Sequence, residues 1–229
     1  RPRPVAHPSR AALGLWAMPR ATPSDVAVPD AVKAVQAAKG SRDRIERFTQ
    51  RRPWATRLTP DIADFIAARN SAFLGTANRD GQPYIQHRGG PAGFLQVLGE
   101  RTIGFADLTG NHQYISLGNL SENPSAFLFL IDYSRRRRVK FWGKARVVED
   151  DQSVLERLRL ENGKPAQRAI LFEVATWDIN CPQHIPLMVD ASAAANALAE
   201  RDARIAELEA KLANAGLQSP RNPPDPEIR

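Results

Sequence analysis

Between Ser71 and Ile179 the chain is a succession of short runs in which apolar and polar residues alternate, each soon closed by turn-forming residues. A period of two sends successive side chains to opposite faces, so such runs fold as strands with one face toward a core. "AFLGTAN" meets Asp80-Gly81, a hairpin dipeptide, and returns as "QPYIQHR". "GFLQVLG" and "RTIGFAD" make a second pair, followed by "AFLFLID", "RVKFWGKARVVED" and "AILFEVATWDI". Helical patterns interrupt the series only in "TGNHQYISLGNLSENPS" and in "DQSVLERLRLE". Six or seven strands at this spacing predict a small antiparallel barrel, mainly β with flanking helices.

Both ends of the chain have a different texture. Residues 1–29 read as a disordered basic leader, and residues 30–59 as a helical extension built from "DAVKAVQAAKG" and "SRDRIERFTQRR". The barrel domain is expected over 60–190, opening on a helix with Thr59 as cap, Pro60 in its first turn and Ile62, Phe65 and Ile66 on one face. An Ala-rich helix is expected over 191–216, capped by Asp190, with Leu198, Ile205 and Leu212 seven residues apart and Leu208 between. That spacing is a short coiled-coil-like seam. Residues 217–229 read as a disordered tail.

The net charge of +7 and pI of about 10.1 invite a nucleic-acid reading. Its distribution argues otherwise. Residues 1–59 carry 12 Lys and Arg against 4 Asp and Glu, and the remaining 170 carry 20 against 21, so the basicity belongs to the leader. The leader "RPRPVAHPSRAALGLWAMPR" resembles a transit peptide in composition; an over-long reading frame with Met18 as the true start is the alternative. No run of apolar residues is long enough to span a membrane, and a single cysteine, Cys181, fits a reducing compartment, so the expected location is cytoplasmic.

Searching for chemistry first removes options. The chain has no G-x-S-x-G elbow, H-E-x-x-H pair, P-loop or dinucleotide fingerprint. Cys181 and His184 give a C-x-x-H pair, but two ligands do not make a zinc site, and no metal is expected. "SRRRRVKFWGK" reads as a turn whose arginines are solvated, with Val139, Phe141 and Gly143 on one face and Lys140, Trp142 and Lys144 on the other. "YIQHRGGP" carries more: Arg88 at a strand end can bind a phosphate, and two glycines allow close approach. "GNHQ" is a loop leading into a helix whose free N–H groups favour anions. Within this loop and helix, Gly110, Asn111, His112 and Ser116 are expected to face outward, and Ile115, Leu117 and Leu120 inward. Together the two segments predict a phosphate pocket at the barrel edge.

"AFLGTANRDGQPYIQHRGG", "IGFADLTGNHQYISLGNLSENPSAFLFLID", "RVKFWGKARVVEDD" and "FEVATWDINCPQHI" resemble, in this order, the FMN-binding split-barrel proteins related to pyridoxamine 5′-phosphate oxidase. The resemblance implies a six- to seven-stranded antiparallel split β-barrel, a homodimer, and one FMN in each of two interface grooves. Carried over by position, Gln86, His87 and Arg88 lie along the flavin and its phosphate tail, and Phe105 and Ala106 pass beside the ring by their backbone. Asn111, His112 and Gln113 meet the phosphate or ribityl chain, and Arg138 approaches the polar edge of the ring. Trp177, Asn180 and His184 close the site from the partner chain. The implied activity is an oxidoreductase passing hydride or electrons between a reduced nicotinamide or other donor and a small acceptor. A flavin-sequestering protein, or a barrel using deazaflavin or a haem-type ligand, is the alternative. Relatives carry Arg at the place of His112, which makes phosphate affinity here weaker or pH-dependent. The oxidase proper ends in an Arg-containing segment holding its pyridoxal substrate; this chain runs instead into the Ala-rich helix, which argues against vitamin B6 oxidation.

Overall fold

The computed structural model describes residues 22–108, 110–158, 166–179 and 182–216. Seven strands form one sheet: β1 (Ser71–Ala77), β2 (Pro83–Gly89), β3 (Gln96–Gly99), β4 (Thr102–Ala106), β5 (Ser125–Asp132), β6 (Arg137–Val148) and β7 (Ala169–Ile179). They pair in the order β2-β1-β5-β6-β7-β4-β3, every pair antiparallel, as a split barrel. The alternation that predicted the strands is what fills the barrel. Leu74, Leu128, Leu130, Val139, Phe141, Ile170 and Phe172 are wholly buried, and helix α3 (Pro60–Ala67) adds Ile62, Phe65 and Ile66 to the same cluster. Each such side chain contributes about 1.5–3 kcal/mol by leaving water.

The hairpin at Asp80-Gly81 forms as read, with Gly81 at φ 85°. Among the helices, α1 (Asp30–Ala38) and α2 (Arg42–Arg51) occupy the expected extension. Thr59 precedes α3, but its hydroxyl donates to the Asp61 carboxylate instead of capping the backbone. A 3-10 turn, Pro23–Val26, falls inside the segment read as leader, with Ser24 buried; residues 1–21 lie outside the described residues. Downstream, Ala55 bridges to Trp177, whose indole Nε1 donates to the Arg57 carbonyl at 2.8 Å. This strap carries Trp54 onto Trp142 of β6, stacked with centroids 4.8 Å apart. Helix α4 (Ile115–Glu122) crosses from β4 to β5, and α5 (Gln152–Arg157) lies between β6 and β7.

The chain divides into two compact units, the second comprising Tyr133–Arg136 and the residues from Gln183 onward. In that unit Arg136, at φ 50°, donates from Nε to the Ile185 carbonyl at 2.9 Å. Its helix α6 (Ala191–Asn214) starts as the sequence predicts, the Asp190 carboxylate accepting from the Ser192 and Ala193 amides. No helix of the described residues is long and apolar enough to cross a membrane.

Candidate functional site

The pairing of β4 with β7 sets Ala106 opposite Ala169, and so brings together the two residues that flank this pair. Asp107, just beyond β4, and Arg168, just before β7, meet with Arg168 Nε donating to Asp107 Oδ2 at 2.6 Å. Arg88 of β2 reaches the other oxygen, Nη1 to Oδ1 at 2.5 Å. The carboxylate is 3% exposed, the two guanidiniums 10% and 16%. Arg168 also meets the exposed Glu149 at 3.5 Å, so the two cations share a buried carboxylate and a solvated one. Burial by itself works against the Arg168 charge. The hydrogen bonds and charges of Asp107 and Glu149 more than offset it and raise the Arg168 pKa above its ordinary value.

This ion triad is the floor of a cleft. Tyr84, Gln86 and Arg88 line it from β2, and Asn111, His112, Gln113 and Tyr114 from the loop before α4. The loop is held in an unusual shape: Gly110, His112 and Tyr114 all have φ between 50° and 60°, a region that costs about 1 kcal/mol or more for a residue with a Cβ. Local bonds hold it there. Asn111 Oδ1 accepts from the Gln113 amide at 3.2 Å, His112 Nδ1 and Tyr114 Oη share a hydrogen bond of 2.9 Å, and the Arg168 guanidinium sits 5.3 Å above the Tyr114 ring. Ser116 corrects the sequence reading. It is 1% exposed and donates to Gln86 Oε1 at 2.7 Å, while Ile115 is 39% exposed. The inward face of α4 is polar as well as apolar because Asn119 also turns in, donating to Thr76 Oγ1 at 3.0 Å.

Of the residues singled out from sequence, Gln86, Arg88, Asn111, His112 and Gln113 therefore share one cleft. His87 does not. Strand alternation sends it to the opposite face, where its Nε2 shares a hydrogen bond of 2.8 Å with Ser71 Oγ and its ring meets Phe73 edge-on. Phe105 is wholly buried, 6.0 Å from the Arg88 guanidinium, with half-buried Ala106 beside it. Arg138 lies on β6 opposite Ile131, on the outward face with Lys140, which pairs in register with Asp178 of β7. Burial, then the neighbouring Arg138 charge, lower the Lys140 pKa, and burial raises that of Asp178. Trp177 is half-buried and committed through its N–H to Arg57. His184 belongs to the second unit at φ 65°, and Asn180 and Cys181 lie outside the described residues.

Asp107, Arg168, Tyr84 and Tyr114 are among the cleft residues that the sequence does not single out. Asp107 and Arg168 are 61 positions apart and share no motif. Only the β4–β7 pairing, which places the ends of "IGFAD" and "RAILF" side by side, would have revealed them.

Chemically the cleft suits an anion. It offers two guanidiniums, the Arg88 Nε that is buried with no hydrogen-bond partner among the described residues, and the amide and imidazole groups of the loop. Its cavity volume is about 30 Å³, whereas sites that enclose a drug-sized ligand hold roughly 300–1,000 Å³. A larger ligand bound here would extend beyond the enclosed part of the cleft.

A family model described as pyridoxamine 5′-phosphate oxidase matches residues 58–181, more than half of the chain. Among the curated proteins no match is found. Solved structures similar to this chain include HupZ of Group A Streptococcus, at 15% identity over 57% of this chain and 98% of that one, with a TM-score of 0.45. An FMN-binding protein from Syntrophomonas wolfei shares 15% identity over 63% and 97%, with a TM-score of 0.40. HutZ, a haem storage protein from Vibrio cholerae, shares 17% over 54% and 94%, with a TM-score of 0.39.

Proposed function

Because the chain belongs to the pyridoxamine 5′-phosphate oxidase family, we propose that it binds FMN and serves as an FMN-dependent oxidoreductase acting between a reduced nicotinamide or other donor and a small acceptor. The observation that carries this reading is the Arg88–Asp107–Arg168 triad beneath the 110–114 loop. A phosphate dianion placed there would meet two guanidiniums whose second counter-ion, Glu149, is solvated, and would supply the acceptor that Arg88 Nε lacks. Asp107 keeps both guanidiniums in place before the ligand arrives, so little ordering remains to oppose binding. Gln86, oriented by Ser116, and Asn111 would offer hydrogen bonds to ribityl hydroxyls next to that phosphate.

FMN, when bound, supplies hydride and single-electron chemistry that no side chain has. This chain's part is to hold the phosphate end, orient the ring and keep water away from it. The cleft encloses little volume, so a flavin held there by its phosphate would reach beyond it, over surface that a second copy of the chain could cover. On this reading the working unit is a homodimer. The outward face of β1, β5 and β6 offers a half-buried aromatic surface for the contact, with Phe73, Phe127, Phe129 and Trp142 across neighbouring strands.

The test is direct. Mass spectrometry of the cofactor released from purified protein should give FMN, and light scattering of the loaded protein should give a dimer. FAD, haem or a deazaflavin in place of FMN overturns the reading, and a monomer with stoichiometric FMN overturns the shared groove.

A further inference from the structure

We propose that helix α6 is a parallel, in-register pairing element for a second copy of this chain. The helix runs for 24 residues without one buried position. Leu198, Ile205, Leu208 and Leu212 stay 49%, 45%, 43% and 38% exposed along one stripe. Such a stripe needs a cover. Its spacing fits only one heptad frame: Leu198, Ile205 and Leu212 at a, Arg201 and Leu208 at d.

That frame fixes the charges beside the seam. The e positions are Asp202 and Glu209, both acidic, and the g positions include Arg204 and Lys211, both basic. In a parallel pair, g of one helix faces e of the next heptad in its partner, so Arg204 meets Glu209 of the other copy twice by symmetry. In an antiparallel pair g faces g and e faces e, and like charges would oppose each other at both flanks. Charge complementarity therefore selects a second copy, running parallel. Within its own chain Arg204 pairs only with exposed Glu207, a contact that Lys211 also makes and that surface solvation leaves weak. Arg201 at d meets its own counterpart across the seam in this geometry, a like-charge layer that acidic Asp202 at the partner's e position partly offsets; a polar core residue of this kind fixes register at a cost in stability. The seam is short. Its pairing therefore rests in part on the homodimer proposed above, in which two chains already held together present their helices at high effective concentration.

Single-cysteine cross-linking in the full chain tests this. Leu198→Cys and Leu212→Cys each replace an exposed side chain, so folding is not at stake. Parallel pairing in register sets each new thiol beside its own counterpart, within the roughly 4.4–6.8 Å Cα separation that a disulfide needs. Mild oxidation should then convert most of either variant, alone, to a covalent dimer, well above the unaltered chain, whose Cys181 is the control. Arg204→Glu should slow cross-linking of Leu212→Cys several-fold, and adding Glu209→Arg should restore it. An antiparallel seam puts the two positions roughly 21 Å from their own counterparts. Cross-links that form only when the two variants are mixed would overturn the orientation. A dimer by light scattering that never cross-links would overturn the pairing of α6 while leaving the shared groove intact; a monomer that never cross-links overturns both.

Discussion

Asp107→Ala should lower the free energy of unfolding by about 3 kcal/mol, the lower end of the roughly 3–5 kcal/mol lost when one member of a buried ion pair is removed. The substitution strands two cations at once. Arg88, 10% exposed, would keep no carboxylate, and Arg168 would keep only the exposed Glu149 at 3.5 Å. The same change should abolish the preorganisation of the cleft, so affinity for FMN falls although a positive charge is exposed to it. Urea unfolding of the variant measures the first effect. A combined Arg88→Met/Asp107→Leu chain should recover part of the stability, because it removes the more deeply buried cation with its carboxylate and leaves only Arg168, which keeps Glu149. A loss under about 1 kcal/mol for Asp107→Ala would show that the triad is solvated and mobile instead of fixed.

Gly143→Ala should cost more than 3 kcal/mol, beyond the roughly 1–3 kcal/mol of ordinary overpacking, because what it strikes is backbone. A Cβ at this position would lie 2.0 Å from the Glu173 carbonyl oxygen and 2.9 Å from Phe172 Cε1. The β6–β7 register slips here, from Trp142↔Thr176 to Gly143↔Val174, leaving Ala175 as the extra residue of a bulge beside which the Glu173 carbonyl lies close to Gly143. Relief would require the two strands to part along the longest pairing in the sheet. Low soluble yield and a sharply lower Tm are the expected results. Gly118→Ala is the control: nothing lies within 4 Å of a Cβ there, and an exposed helical position should gain about 0.5–1 kcal/mol.

The strands and their faces were legible because period two is a local signal. Val139 and Phe141 turn in and Lys140 and Trp142 out, as alternation requires. The α3 core face and the Asp190 cap were legible for the same reason, each lying within a few residues of its cue. The site was legible on one side only. Arg88 and the 110–114 loop carry residue types that announce an anion site, but the Asp107–Arg168 pair depends on which strand ends are neighbours, and no local pattern states that. His87 shows the opposite case. Alternation alone places it across the sheet from Gln86 and Arg88, and likeness of the triplet to a family motif outweighed that rule. Ser116 was misread because α4 buries polar side chains that bond to Gln86 and Thr76, which makes its apolar residues a poor guide to its inner face.

The central claim is that the triad cleft binds a flavin's terminal phosphate, and paired titrations with FMN and riboflavin isolate that group. Apo protein, Arg88→Ala and Arg136→Ala should each be titrated with both ligands. Charge-assisted bonds of roughly 1.5–3 kcal/mol predict FMN binding about 10- to 150-fold tighter than riboflavin, with the advantage largely gone in Arg88→Ala and kept in Arg136→Ala. Arg136 is the fair comparison, since it is exposed and its guanidinium donates to the Ile185 carbonyl within the second unit. Equal affinities for FMN and riboflavin in the unaltered protein, or equal losses in the two arginine variants, would contradict the placement of the phosphate on Arg88.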